Sequence, residues 1–441
     1  MKHSRKLRIG LAALAMLMVP ALALAAPVVV NWWHAHGGAL GERVNGICEG
    51  FNKSQTQYQV VPTYKGSYVD TMNAGIAAFR AKTHPHILQV YEVGTATMMS
   101  AKGAIKPVYE VMKESGLPFD AKIYLPTVTG YYTTKDGQML SMPFNSSTPV
   151  LYYNIGLFKK AGLDPSKPPK TWFELAEISK KLVAAGVSQA GFTSCWTGWI
   201  HIENLSAWHN VPIGTKANGF GGFDAVYTFN SPLHIKHFQQ LADWQKDKVF
   251  VYGGRTNVGV AKFYSEEVAM LTESSAGYAG IKQNCQFEFG TTMLPFWSDV
   301  KGAPQNTIIG GASLWVLNGH KKEEYKGVAA FFNYLSRPEV QAEWHQGTGY
   351  LPITLEAYEL SKKQGFYDRN PGTETALKQM TLNKPTENSK GLRFGDHAKT
   401  REIMDNEFEA IFAGQKTAKQ GLDDAVKAGN DLLRKFEKAN K

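Results

Sequence analysis

Cysteine is scarce in this chain: Cys48, Cys195 and Cys285 are the only three in 441 residues. An odd, widely spaced set cannot build the disulfide framework of a small secreted domain. It allows at most one bridge, whose partners the spacing does not assign, or three buried and inert thiols. Catalytic signatures are missing as well. There is no Gly-x-Ser-x-Gly, no Walker A loop, no His-Glu-x-x-His and no Gly-x-Gly-x-x-Gly. Hydrolysis of a sugar or phosphodiester needs paired carboxylates or a metal cluster, and the sequence offers no candidate pair. His34-x-His36 and His84-x-His86 resemble metal pairs, but no acid or cysteine stands at ligand spacing, and alternate strand positions account for them. No cofactor or metal is expected. Basic residues exceed acidic ones by 48 to 38 without forming a block, which argues against a nucleic-acid partner.

Long apolar runs are confined to the N-terminus. Lys2, Arg5, Lys6 and Arg8 precede Ile9 to Leu24, a short stretch broken by Pro20 and ending in Ala23-Leu24-Ala25. This is the pattern of a cleaved signal peptide, with the cut expected after Ala25, and no cysteine is placed there to carry a lipid. Removing the leader lowers the formal charge from +10 to +6, a mild, dispersed excess compatible with attracting a small anion. The full chain is 43% hydrophobic and 20% charged, a globular composition with length for two or three cores.

From Pro27 onward, strand and helix patterns alternate. Val28 to Trp33, Tyr58 to Tyr64 and His86 to Val90 read as strands. Between them, helices place Leu40, Val44, Ile47 and Phe51, then Tyr68, Met72, Ile76 and Phe79, on one face. A βαβαβ unit predicts an α/β fold with an open, mostly parallel sheet, whose ligand binds at the carboxyl ends of the strands. His34, Lys65 to Tyr68 and Tyr91-Glu92 fall there. The pattern resumes later: Thr171-Trp172-Phe173-Glu174 is a capping box, and Trp199 to Trp208 and Ile235 to Lys246 read as helices. Val268 to Thr272 and Thr292 to Phe296 read as strands. A helix is expected to begin at Ser274-Ser275, where free N–H groups favour an anion.

Gly130 to Asn154 organises the rest. Tyr131-Tyr132, a Lys-Asp-Gly turn at 135–137 and Gln138 to Pro143 read as a hairpin, and Pro149 to Asn154 as a buried strand. Asn145-Ser146-Ser147-Thr148 between them is expected to lie outside the core as a crossing between two lobes. Ile308 to Leu317, interrupted by Gly310-Gly311, reads as a second crossing, and Gly349 to Pro352 as a third. Ser147, Ser274 and Gly311 are short hydroxyl or backbone donors, and Arg401 adds a guanidinium. Trp172 beside its cap and Tyr68 beside a strand end are placed to line a cleft.

Several blocks carry a resemblance. Tyr64 to Tyr68, Ile87 to Met99, Pro143 to Tyr153, Ile308 to Val316 and Trp344 to Ile353 look very like the periplasmic glycerol-3-phosphate-binding proteins of Ugp-type ABC importers. The likeness runs from the leader to the C-terminal Leu-Leu-Arg-Lys-Phe-Glu-Lys. It departs at Glu266-Glu267, around Cys195 and over Thr381 to Asn388. It implies a two-lobed, type II binding-protein fold with three hinge crossovers. The lobes would be 26–145 with 314–349, and 146–313 with 350–441. Ligand contacts would fall on Tyr68, Glu92, Ser147, Ser274, Gly311, Tyr350 and Arg401, with Trp172 as a cleft tryptophan. The resemblance implies a non-catalytic, monomeric component that hands sn-glycerol-3-phosphate, or diesters such as glycerophosphocholine, to an inner-membrane permease driven by an ATPase. An oligosaccharide carrier and a secreted phosphodiesterase are the alternatives. Arg401→Ala is expected to abolish anion binding and leave the fold intact.

Overall fold

The computed structural model describes residues 26–134 and 136–440; the leader and Lys135 of the expected turn lie outside the described residues. Among the described residues, eleven strands form two sheets. The first contains β1 (Val28–His34), β2 (Tyr58–Tyr64), β3 (Ile87–Tyr91), β4 (Ile105–Lys106), β5 (Met142–Ser147) and β11 (Gly310–Leu317). The second contains β6 (Pro149–Asn154), β7 (Ala190–Ser194), β8 (Phe250–Tyr252), β9 (Val268–Ser274) and β10 (Phe289–Thr292). Helices cover both, and no helix among the described residues is long and apolar enough to cross a membrane.

Strand direction explains how the chain passes between the sheets. β1 lies parallel to β2 and β3, while β11 runs antiparallel to β3, β4 and β5, so β11 alone is reversed. In the second sheet β7, β8 and β9 are mutually parallel, and β6 is antiparallel to β9 and β10. Each reversed strand is the one entered directly from the other sheet. The remaining strands run together, as a helix-connected right-handed winding requires. The three crossings meet at one place. Gly310 pairs with Ser147, and the Leu351 N–H donates to the Ser146 carbonyl at 2.7 Å.

Four local readings are corrected by tertiary structure. Tyr131 and Tyr132 end the helix Pro126–Tyr132 instead of opening a hairpin. Pro126 favours a helical start, and both rings are fully buried, so packing outweighs their strand propensity. A single Thr133–Met139 bridge is what remains of the hairpin. Asn145 to Thr148 are all buried. They tolerate this because β5 continues through Ser147 and the two amide- or hydroxyl-bearing ends are matched, Asn145 by Gln89 and Tyr68, Thr148 by Thr307 and the Ile308 carbonyl, while Ser146 Oγ is buried without a hydrogen-bond partner among the described residues. The strand expected at Thr292 to Phe296 lies earlier, at Phe289–Thr292; Pro295 has no N–H for a ladder, and Leu294 packs beside Trp199 and Trp208. Ser275 to Gly277 form a three-ten turn before the helix Tyr278–Asn284, and the Ser274 hydroxyl already accepts the Ala276 N–H.

Trp172 is also corrected. It opens the helix Trp172–Ala184 behind the expected Thr171/Glu174 capping box, but its side chain is fully buried against Phe192, His201, His237, Trp244 and Trp297. A tryptophan so enclosed is worth about 3–5 kcal/mol against truncation, which is a core role. The histidines beside it form a directed chain. Trp297 Nε1 donates to His237 Nδ1, His237 Nε2 to His201 Nδ1 at 2.8 Å, and His201 Nε2 to Ser194 Oγ at 2.9 Å. Each ring donates once and accepts once, so each is neutral. All three cysteines are free.

Candidate functional site

A cavity of about 370 Å³ opens where the crossings meet, within the usual size of a small-molecule site. The carboxyl ends of the strands build its walls. Gly37 and Gly38 follow β1, Tyr68 follows β2, Tyr91 ends β3 and Glu92 follows it; Trp196 follows β7 and Ser274 ends β9. Tyr68, Glu92, Ser147, Ser274, Gly311, Tyr350 and Arg401 all line this one cavity. Trp172 does not. Tyr91, expected at a ligand-binding strand end, lines it as well, and sequence reasoning missed Trp196, Trp199 and Glu273, which line it too. Trp196 carried a signal only in three dimensions: its backbone sits at φ +50, a costly conformation for a bulky residue and one that clusters at functional sites.

The tyrosine wall is set by a buried amide relay. Gln89 Oε1 accepts the Ala35 N–H at 2.7 Å, and Gln89 Nε2 donates to Asn145 Oδ1 at 2.8 Å and contacts His36 Nε2 at the same distance. Asn145 Nδ2 then donates to Tyr68 Oη at 2.9 Å. The Tyr68 hydroxyl proton is therefore left to point at Tyr350 Oη, 3.4 Å away, or into the cavity. Burial pushes the Tyr68 hydroxyl up to about 12, so it remains a donor at neutral pH. Stacking fixes both rings: Tyr68 on Tyr91, and Tyr350 on Trp344.

Gly311 brings backbone to the cavity. It sits at φ +106, and a Cβ there would meet the Asn145 carbonyl oxygen at 2.1 Å, so no other residue fits the crossing. Ser147 Oγ forms no hydrogen bond among the described residues, and Ser274 retains its hydroxyl proton for donation.

Arg401 is the cavity's cation, and it is not a free one. Its Nε and Nη2 bond Glu203 Oε1 and Oε2, each at 2.7 Å, and Nη2 also reaches Glu92 Oε1 at 2.6 Å. His397 Nε2 donates to the same Glu203 Oε1 at 2.9 Å, while Tyr227 Oη donates to His397 Nδ1. Burial would raise Glu203, but Arg401 and His397 outweigh it and hold it down at about 2. For Glu92 burial prevails over the shared guanidinium, and its carboxyl is raised. Nη1 makes no hydrogen bond among the described residues. It is the edge of Arg401 left for a ligand. The ion pair also joins the segment after β3 to the helix His397–Phe412 across the cleft.

A second cluster, His86, His320 and Glu324, gathers at the far end of the first sheet. The Asn31 N–H donates to His86 Nδ1, which keeps the proton on Nε2. That atom is thereby a donor toward Glu324, 3.7 Å away, and not a metal ligand.

Residues 46–375 match the family model of the bacterial extracellular solute-binding proteins. The chain belongs to that family. The sn-glycerol-3-phosphate-binding periplasmic protein UgpB of Yersinia pseudotuberculosis is 55% identical over 413 residues, covering 93% of this chain and 94% of its own. The protein of the same name from Pectobacterium atrosepticum is 51% identical over 441 residues, covering 100% and 99%. Among solved structures, UgpB from Mycobacterium tuberculosis in complex with glycerophosphocholine superposes with a TM-score of 0.77 at 19% identity, covering 93% of this chain and 99% of its own. A cyclic alpha-maltosyl-1,6-maltose binding protein from Arthrobacter globiformis superposes at 0.72 and 22% identity, covering 93% and 100%. This solute-binding protein therefore has the two-lobed, type II fold shared by carriers of unlike ligands. Its own ligand must be read from the cavity.

Proposed function

We propose that this solute-binding protein captures sn-glycerol-3-phosphate, or a glycerophosphodiester such as glycerophosphocholine, and delivers it to the permease and ATPase of an ABC importer in the inner membrane. The observation that carries the reading is the convergence of Tyr68, Ser147, Ser274, Gly311, Tyr350 and Arg401 on one cavity from both sheets and all three crossings. A phosphomonoester carries about 1.5 to 2 negative charges near neutral pH, and burying it needs several donors and a cation. The Tyr68, Ser147 and Ser274 hydroxyls and Arg401 Nη1 supply donors of that kind. Glu92 would repel phosphate and so faces the glycerol hydroxyls as an acceptor. The lobes, 26–145 with 314–349 and 146–313 with 350–441, close over the ligand. The chain acts in the periplasm as a monomer after cleavage behind Ala25, without nucleic acid.

Catalysis is not part of this reading. Glu92 and Glu203 are both committed to Arg401, so neither is poised as a general base. Calorimetry against glycerol-3-phosphate, glycerophosphocholine and maltose separates the alternatives. Binding of the esters is expected at around micromolar, about −8 kcal/mol, with no heat from maltose. Tight maltose binding without ester binding would transfer the protein to the oligosaccharide carriers.

A further inference from the structure

Among the described residues, Glu273 is the one cavity-lining acid without a cation. It stands at the end of β9, 3% exposed, with the backbone of Gly277 folded close over its side chain. Its Oε1 accepts the Ser274 N–H at 2.6 Å, and the Cys195 thiol and Trp196 indole are its side-chain hydrogen-bond neighbours. The titratable groups that face it are Cys195 after β7, Tyr152 on β6, Tyr264 on the helix Val260–Tyr264 and Tyr350 at the third crossing. None is positive near neutral pH. Across the cavity, Arg401 is already outweighed by Glu92 and Glu203. An ionised Glu273 would add a further negative charge beside Ser274, where the anion is placed by the functional reading above.

We propose that Glu273 binds ligand as the neutral acid: on entry of an anionic ester its carboxyl takes one proton from the bulk buffer. The repelling charge then becomes a hydrogen-bond donor next to Ser274, and the proton returns to buffer on release. Burial in the free protein already inclines the group to this state. Burial without a counter-ion disfavours the carboxylate, and the group is pushed up to about 7 by that burial, against the opposing hydrogen bonds. A bound anion raises it further. Glu273 is thus a specificity-determining residue. It lets a cleft with little net positive charge accept a phosphate ester, and it ties affinity to proton concentration.

The proposal rests on the ester reading, and its test keeps the two apart. Glycerophosphocholine is the probe, because its phosphodiester does not titrate near neutral pH. Calorimetry at pH 7.5 to 8.5 in two buffers of different ionisation enthalpy counts the protons taken up. Wild type is expected to take up a large fraction of one proton and to lose up to about tenfold in affinity per pH unit at the alkaline end. Glu273→Gln is expected to take up none and to hold its affinity within about twofold across that range. Ligand-free melting gives a second reading: the Tm advantage of Glu273→Gln over wild type should grow from pH 5 to pH 8. The sign follows from a raised folded-state value, whose stabilisation is present below about 4.5 and is lost as pH rises through about 7. Buffer-independent heats in wild type, equal uptake in the variant, or a pH-independent Tm difference would each overturn the proposal. Failure of both esters to bind wild type would remove the ester reading itself, and this proposal with it.

Discussion

Arg401→Met is expected to abolish ester binding and also to cost about 3–5 kcal/mol of stability, because it leaves two buried carboxylates without their cation. Arg401 makes three hydrogen bonds, two to Glu203 and one to Glu92, and both acids are almost wholly enclosed. The expectation from sequence, that this arginine could be removed with the fold intact, is corrected by that packing. A ligand-facing cation that is solvated in the free protein can be deleted cheaply; one that neutralises its own buried neighbours cannot. The triple variant Arg401→Met, Glu92→Gln, Glu203→Gln removes the stranded charges with the cation. It should recover most of the stability while remaining unable to bind. Urea unfolding and calorimetry on both variants decide the matter. An unchanged unfolding midpoint in the single variant would mean that the ion pairs do not hold in solution.

Acid should unfold the protein well above the usual carboxylate range. His36, His201, His209, His234 and His345 are buried and neutral, and burial pushes them down to about 3, 3, 4, 3 and 4; His237 is lowered as well. Both ring nitrogens of His201, His209, His234 and His345 are committed to neutral hydrogen bonds, as where His345 Nδ1 donates to the Tyr350 carbonyl and Nε2 accepts from Tyr367. The unfolded chain binds protons at these sites below about pH 6.5, and the folded chain does not until pH 3 to 4. Stability is therefore present above pH 6.5 and falls as pH drops toward 4. Each histidine contributes about 1.4 kcal/mol per pH unit, and five acting together reach roughly 7 kcal/mol per unit. Glu273 and Glu92 work in the opposite direction over part of this window, since their raised values favour the folded state as pH falls. The urea midpoint should drop steeply between pH 6.5 and pH 5; a flat profile there would contradict the buried neutral state.

Periodicity and family motifs made the strand ends, the crossings and seven cavity residues legible in the sequence. Those features depend on local pattern: β1, β2 and β3 alternate with helices at short range, and Gly310-Gly311 interrupts an otherwise apolar run. What sequence did not disclose depends on contacts made across long separations. Trp172 and Trp196 are both aromatic residues beside turns, yet one faces the core and the other the cavity, a choice made by helix rotation and by the backbone at φ +50. Glu203 lies 198 residues from Arg401, inside a helical stretch, Trp199–Asn204, wound with π geometry. Nothing in its neighbourhood marks it as the acid that orients the arginine. Burial of Asn145 to Thr148 was hidden for the same reason: Gln89 and Tyr68, which bond the Asn145 side chain, and Thr307, which bonds that of Thr148, come from three distant segments.

The most direct test is a crystal structure of the protein grown with sn-glycerol-3-phosphate. The phosphate is expected in the cavity between the sheets, within hydrogen-bond distance of Ser147 Oγ, Ser274 Oγ and Arg401 Nη1, with the glycerol hydroxyls on Glu92. A phosphate bound elsewhere, or glycerol hydroxyls seated on Ser147 with the phosphate away from Arg401, would contradict the account.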